Sequence, residues 1–259
     1  LGHAATRVAV ARDGSRVAVL DQESGPPGVR VYDVRSREPV GEVFRLTTPA
    51  RRLVFSPDAR RVIAACSDDG YQPREAVEWE VGSNRETRRL AHTDGVMIAS
   101  YHPFARRAVT GGEDCLVRFW DLSRGTLVAE QRMGYQALDV VHSDDGNLVG
   151  SVSVDGTARV WDSESGAPIT PLLRHPGELR QVFFTAGARR VGTRCIDGRI
   201  YLWDITGPES TLEELDSVAE YLQGDAAMVD DAELRRRYHT AADQAVELTV
   251  PRVAQAEWH

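Results

Sequence analysis

The first 205 residues are patterned as short β-rich runs rather than as helical stripes. Runs such as 53–65 (LVFSPDARRVIAA), 158–162 (ARVWD) and 200–204 (IYLWD) combine apolar, β-branched and aromatic positions and are punctuated by Asp-Gly and Asp-Asp-Gly turns. That combination predicts short strands joined by tight turns, with no 3.6-residue period. An aromatic followed by an acid closes a run at Tyr32-Asp33, Trp79-Glu80, Trp120-Asp121, Trp161-Asp162 and Trp203-Asp204, so the aromatics step by 47, 41, 41 and 42 residues. The chain is therefore an internal repeat of about 42 residues, with units at about 1–40, 41–88, 89–131, 132–172 and 173–205.

Several short strands per unit, repeated at this period, predict the blades of a β-propeller, an all-β fold. The units resemble WD repeats, most closely in SVSVDGTARVWD (151–162) and TRCIDGRIYLWD (193–204). The resemblance implies a polar network inside each blade. Unit three carries it as His92, Thr110, Asp114 and Trp120, and unit five as His175, Thr193, Asp197 and Trp203, with identical offsets. Unit four keeps Ser151, Asp155 and Trp161 but has Met133 at the His position. Unit two has Glu80 in place of the usual acid and adds YQPR after Asp69-Gly70; unit one has Tyr32 for Trp and adds QESGPPG after Asp21. Buried hydroxyl, imidazole, indole and carboxylate groups satisfy one another in such a set, and one left unpaired costs about 1–3 kcal/mol.

Units three and four run on from their aromatic–acid pairs into outer-strand segments, GTLVAEQRM and GAPITPLL. Unit five is followed instead by ITGPESTLEELDSVAEYL, which predicts a helix with Ser210 as N-cap, Glu213 completing a capping box, and Leu212, Leu215, Val218, Ala219 and Leu222 along one stripe. A second helix is expected through AELRRRYHTAADQAVEL, so unit five is expected to lack its outer strand. Propellers of the family usually have seven blades. Five units, and a first residue that is not Met, lead to the expectation of a C-terminal part of a longer repeat protein.

Charge divides the chain at the same point. Residues 1–205 hold 27 acidic and 27 basic side chains, whereas 206–259 hold 12 and 4, so the formal charge of −8 resides in an acidic helical tail. Every basic side chain is Arg, a bias read as that of a GC-rich bacterial genome. No net basic face is available for a nucleic acid, and no run reaches the length of a membrane helix. Without a secretory leader, a cytoplasmic protein is expected. Cys66, Cys115 and Cys195 are odd in number and lack metal-ligand spacing, so buried thiols and no metal are expected.

The acids Asp114, Asp155 and Asp197 recur once per unit, as framework residues do, and no nucleophile or phosphate-loop motif stands beside them. No catalytic residue and no cofactor are expected. The reading is a non-catalytic interaction scaffold that binds a protein or peptide through its face loops. Candidate contacts are Asp94, Glu113, Gln136, Val154, Glu178 and Ile196, which adjoin the network residues without belonging to them. A basic rim of Arg60, Arg106 and Arg189 on the opposite face is a second candidate, with the acidic tail its nearest partner. The resemblance to repeat regions that follow serine/threonine kinase domains in large bacterial proteins implies upstream blades or a kinase domain as further partners. A hydrolase using the central channel and an assembly module pairing through an open blade edge are the alternatives.

Overall fold

The computed structural model describes residues 7–21, 26–67, 74–83, 85–104, 106–205 and 246–249. They form five four-stranded antiparallel sheets in sequence order. Sheet one holds β1 (Arg7–Val10), β2 (Arg16–Asp21), β3 (Gly28–Asp33) and β4 (Phe44–Arg45). Sheet two holds β5 (Ala50–Phe55), β6 (Arg61–Cys66), β7 (Glu75–Glu80) and β8 (Glu86–Ala91). Sheet three holds β9 (Val96–Tyr101), β10 (Arg107–Gly112), β11 (Leu116–Asp121) and β12 (Thr126–Arg132). Sheet four holds β13 (Ala137–His142), β14 (Leu148–Ser153), β15 (Thr157–Asp162) and β16 (Leu173–Arg174). Sheet five holds β17 (Leu179–Phe184), β18 (Arg190–Cys195), β19 (Arg199–Asp204) and β20 (Val246–Thr249). Sheets one to four end one to five residues past the repeat boundary read from sequence, because the outermost strand follows the aromatic–acid pair, and sheet five takes its outermost strand from residues 246–249.

Sheet five overturns one expectation. Its outer strand is present: β20 pairs antiparallel with β19, Leu202 opposite Val246 and Arg199 opposite Thr249. Residues 246–248, read as the end of a second helix, are strand instead. Their alternation Val-Glu-Leu-Thr suits a ladder once an unpaired edge is beside it, which no local helical pattern reveals. The predicted helix at 210–222, the rest of the acidic tail and the insertions 22–25 and 68–73 lie outside the described residues.

The inner strands follow one another as β1, β5, β9, β13 and β17, each packed on the next. Each sheet therefore has a front facing the preceding blade and a back facing the following one. In blade three, Ala99, Tyr101, Ala108 and Trp120 lie on the front and bury themselves against Ile63, Ala65 and Ala76 on the back of blade two. The back of blade three offers Ile98, Val109, Val117 and Phe119 to Val140, Val149 and Trp161 of blade four. The period of two in each strand sorts side chains between these seams, and burial of an apolar side chain contributes about 1.5–3 kcal/mol.

The aromatic–acid pairs do local work at the end of each third strand. Asp33 Oδ1 accepts from the Arg35 and Ser36 amides at 3.0 and 2.8 Å, and Asp121 Oδ1 from Ser123 and Arg124 at 2.8 and 3.0 Å. In blades one and three the acid thus closes the turn into the outer strand. In blade two Glu80 is longer and takes Ser83 Oγ (3.0 Å) and Arg85 (3.1 Å).

Candidate functional site

The first-to-second-strand turns mark one face of the array, here the lower face. The second-to-third-strand turns and the loops entering each blade mark the upper face. On the upper face the Glu113 amide donates to Gly95 O (2.8 Å), Val154 to Gln136 O (3.3 Å) and Ile196 to Glu178 O (2.9 Å). The same backbone bond recurs in blades three, four and five, so Glu113, Val154 and Ile196 are equivalent on one rim, as are Gln136 and Glu178, whose counterpart in blade three is Gly95 rather than the candidate Asp94. Ile196 is 59% exposed and Tyr135, next in sequence to Gln136, is 52% exposed, while Gln136, Val154 and Glu178 are half-buried. The acids are partly engaged: Asp94 pairs with Arg74 (3.6 Å), Glu178 with Arg180 (2.8 Å), and Glu113 accepts from Ser67 Oγ (3.0 Å). Tyr135 carried no motif and was not singled out from sequence; its exposure is a property of the loop it stands on.

Beneath this rim, blade three holds a continuous relay. Trp120 Nε1 donates to Thr110 Oγ1 (2.8 Å), Thr110 Oγ1 lies 2.7 Å from His92 Nε2, and His92 Nδ1 lies 3.2 Å from Asp114 Oδ2. A neutral imidazole with its proton on Nδ1 satisfies every link. Burial pushes the His92 pKa down, against the pull of Asp114. Asp114 also takes the Thr93 amide, the Leu116 amide and Arg118 (2.6 Å). Burial alone would raise its pKa, but the bonds from His92 and Arg118 hold it far below the usual carboxylate range.

Blade five has the same residue types in a different circuit. Both Trp203 Nε1 (3.0 Å) and Thr193 Oγ1 (2.7 Å) address His175 Nε2, and His175 Nδ1 faces Gly156 O of blade four (3.1 Å). Asp197 is not joined to His175 by any bond shown; it accepts the Arg199 amide (3.0 Å) and pairs with the Arg199 side chain (3.6 Å). The expected four-membered set is therefore three-membered here. A carbonyl from the adjoining blade takes the imidazole proton that the carboxylate takes in blade three. In blade four Trp161 Nε1 donates to Ser151 Oγ (2.8 Å), whose hydroxyl turns to Met133 Sδ (3.4 Å), while Asp155 caps its own turn through the Thr157 amide (2.9 Å) and hydroxyl (2.6 Å).

The basic rim is also altered. The carbonyls of Arg60, Arg106 and Arg189 accept from Val81, Leu122 and Ile205, so the three arginines do share one register on the lower face. Arg60 and Arg189 are exposed. Arg106 is not a free cation, because both its terminal nitrogens bind Glu78 at 2.7 and 3.0 Å. Glu78 is wholly buried on the back of blade two and also receives Tyr101 Oη (2.8 Å) and Thr87 Oγ1 (2.5 Å).

The inner strands of blades two and four are linked by Arg52 and Asp139 (3.9 Å), and Asp139 Oδ2 accepts the Val182 amide of blade five (3.1 Å). Burial raises the Asp139 carboxyl to about 6. Cys66 and Cys195 are buried and Cys115 half-buried; burial pushes the Cys66 thiol up to about 12, which leaves it without nucleophilic character at neutral pH.

Residues 84–121 and 134–162 match the family model described as WD domain, G-beta repeat. The chain is 26% identical over 219 residues to COMPASS component SWD3 of Saccharomyces cerevisiae, covering 80% of this chain and 66% of that protein. It is 25% identical over 167 residues to Autophagy-related protein 16 of Arabidopsis thaliana, covering 64% and 32%. It is 26% identical over 201 residues to Transducin beta-like protein 3 of Bos taurus, covering 76% and 23%. The chain thus spans about two thirds of the yeast protein's length and a third or less of the other two. Together with the five four-stranded antiparallel sheets, these matches support a WD-repeat protein.

Proposed function

We propose that the chain is a non-catalytic interaction scaffold that holds a peptide or a neighbouring domain on its upper rim. The observation that carries this reading is the repeated backbone bond joining Gly95 to Glu113, Gln136 to Val154 and Glu178 to Ile196. It joins five of the six candidate positions in pairs along one edge, with Asp94 next in sequence to Gly95, and a contact on such an edge loses little conformational entropy on binding. Tyr135 and Ile196 are the exposed apolar anchors, and Glu113 and Glu178 add carboxylates to the same rim. That mixture suits a peptide with one apolar and one basic side chain better than a phosphate or a nucleic acid. The similarity to a protein named as a COMPASS component adds a relative that works inside an assembly. A cytoplasmic setting, a bacterial source, a seven-bladed ring, and upstream blades or a kinase domain in the same longer protein belong to this proposal.

The test is a screen of basic–apolar peptides for binding to the chain, repeated with Ile196→Asp and with Glu178→Arg. Loss of at least tenfold in affinity for both variants, with binding unchanged in Arg60→Glu and Arg189→Glu, is the expected result. Binding that survives both upper-rim changes and is lost with the arginine changes would move the interface to the lower face.

A further inference from the structure

Blade two lacks a side chain that its neighbours carry on the front of the third strand. Two residues before its tryptophan, blade three has Arg118 and blade four Arg159, opposite the hydroxyl residues Thr110 and Ser151 on the second strand. Arg118 is 5% exposed and binds Asp114 (2.6 Å) and Glu130 (2.9 Å). Arg159 lies over the Trp161 ring, 5.3 Å from its centre, and donates to Thr170 O (3.0 Å). In blade two the same position is Val77, opposite Ala64, and the position of His92 is taken by Leu46. A cleft of about 280 Å³ lies there, with Leu46, Val77 and Trp79 in its lining.

The polar groups of this cleft are short of partners. Thr48 lines it and is 3% exposed, and its Oγ1 makes no hydrogen bond. Glu75 is 8% exposed and shares one guanidinium with Glu86, that of Arg89. Arg89 holds Glu86 with two bonds, of 2.6 and 2.7 Å, and gives Glu75 Oε1 a single one, while Glu75 Oε2 takes no bond among the described residues. Burial pushes the Glu75 carboxyl up against the pull of Arg89, so its charge is under-compensated. Arg45, the other cation of the lining, is exposed and donates to Pro26 O of blade one (3.2 Å).

We propose that this cleft binds the side chain of an arginine from a partner protein, its guanidinium taking the place that Arg118 and Arg159 fill in blades three and four. Those two residues are the template: the same position, between carboxylates in one blade and over the tryptophan in the other, holds a guanidinium supplied from within. In blade two the carboxylates and the tryptophan remain and the guanidinium is missing. A guanidinium has donors for Glu75 Oε2 and Thr48 Oγ1 together. It is also more weakly hydrated than an ammonium and stacks on aromatic rings, which suits a half-closed cleft walled by Trp79. The site uses none of the rim candidates of blades three to five, so it stands or falls apart from the scaffold reading.

Titration of the 259-residue chain with the capped tripeptide acetyl-Gly-Arg-Gly-amide tests it, read from the indole resonance of Trp79, which Trp79→Phe identifies. The expected result is a saturable shift, with affinity at least tenfold weaker for the same peptide carrying citrulline, the neutral isostere of arginine. Glu75→Gln should weaken the arginine peptide by a similar factor. Val77→Arg, which restores the arginine of the neighbouring blades and fills the cleft from within, should abolish binding, and an unchanged or raised thermal transition shows that each variant is folded. Absence of a saturable shift by about 10 mM peptide would overturn the proposal. So would equal binding of the citrulline peptide, or binding that survives in Val77→Arg. Agmatine, a free guanidino compound, should bind less tightly than the peptide; tighter binding of agmatine would replace the protein partner with a small molecule.

Discussion

Arg106 reaches from the turn between β9 and β10 to grip Glu78 on β7, with two hydrogen bonds of 2.7 and 3.0 Å across the seam between blades two and three. Burial works to raise the Glu78 carboxyl, but the donors Arg106, Thr87 and Tyr101 outweigh it and hold the group ionised below its ordinary range. The equivalent back positions in the other blades are Val31, Phe119, Val160 and Leu202. At this position the seam sets a half-buried arginine on a buried carboxylate, where the equivalent residues of the other blades are apolar.

Removing one partner should cost far more than removing both. Arg106→Ala leaves a desolvated carboxylate and should lose about 3–5 kcal/mol in denaturant unfolding. The double change Glu78→Leu with Arg106→Leu should recover most of that loss, because leucine already fills the equivalent position in blade five. A double variant as unstable as Arg106→Ala would mean that Tyr101 and Thr87, left without their acceptor, dominate the seam.

The two aspartates at matching offsets should differ in weight. Asp114→Ala strands His92, Arg118 and the Thr93 and Leu116 amides, and a loss of about 2–4 kcal/mol is expected. Asp197→Ala removes a turn bond from Arg199 and should lose less than about 1 kcal/mol. Equal shifts of the urea midpoint would contradict the circuit drawn for blade five.

Cys115 sits at φ 65, in the turn position that Gly156 and Gly198 occupy at φ 79 and 89 in the next two blades. A side chain in that left-handed region costs about 1–2 kcal/mol. Cys115→Gly should therefore raise the thermal midpoint, with about 1 kcal/mol gained after the lost packing of the thiol. A lowered midpoint would show that the thiol's contacts outweigh the backbone strain.

Asp139 should make stability depend on pH in an unusual sense. Its carboxyl is raised from 3.8 to about 6 by burial, so its contribution is favourable while it is protonated and is lost as pH rises through 6. Asp139→Asn should be more stable than the parent by about 1–3 kcal/mol at pH 8, and the gap should close between pH 6 and pH 4. His142, depressed to about 3 by burial, acts oppositely: its stability is full above pH 6.5 and is lost as pH falls toward 3. Both proteins share it, so their difference isolates Asp139. A gap that is constant with pH, measured by thermal unfolding at pH 4, 6 and 8, would contradict the assignment.

What the sequence determined by itself is what local chemistry can carry. The alternation of side chains, the Asp-Gly turns and the 42-residue step are short-range signals, and they were enough to predict several short strands in each unit; the resemblance to WD repeats implied the Trp120, Thr110, His92 and Asp114 set, which forms a relay in blade three. What only the tertiary structure decided depends on groups brought together from different blades. The same offsets in blade five do not reproduce the relay, because Gly156 O of blade four reaches the His175 proton that Asp114 takes from His92 in blade three. Arg106 reads as one of three rim arginines until the seam sets it against Glu78, 28 residues away. Residues 246–249 lie in a helical-looking context, and the open edge of β19 makes them a strand. A hydrogen bond is a property of two partners, and where a partner is supplied by another sheet the chain's own order holds no record of it.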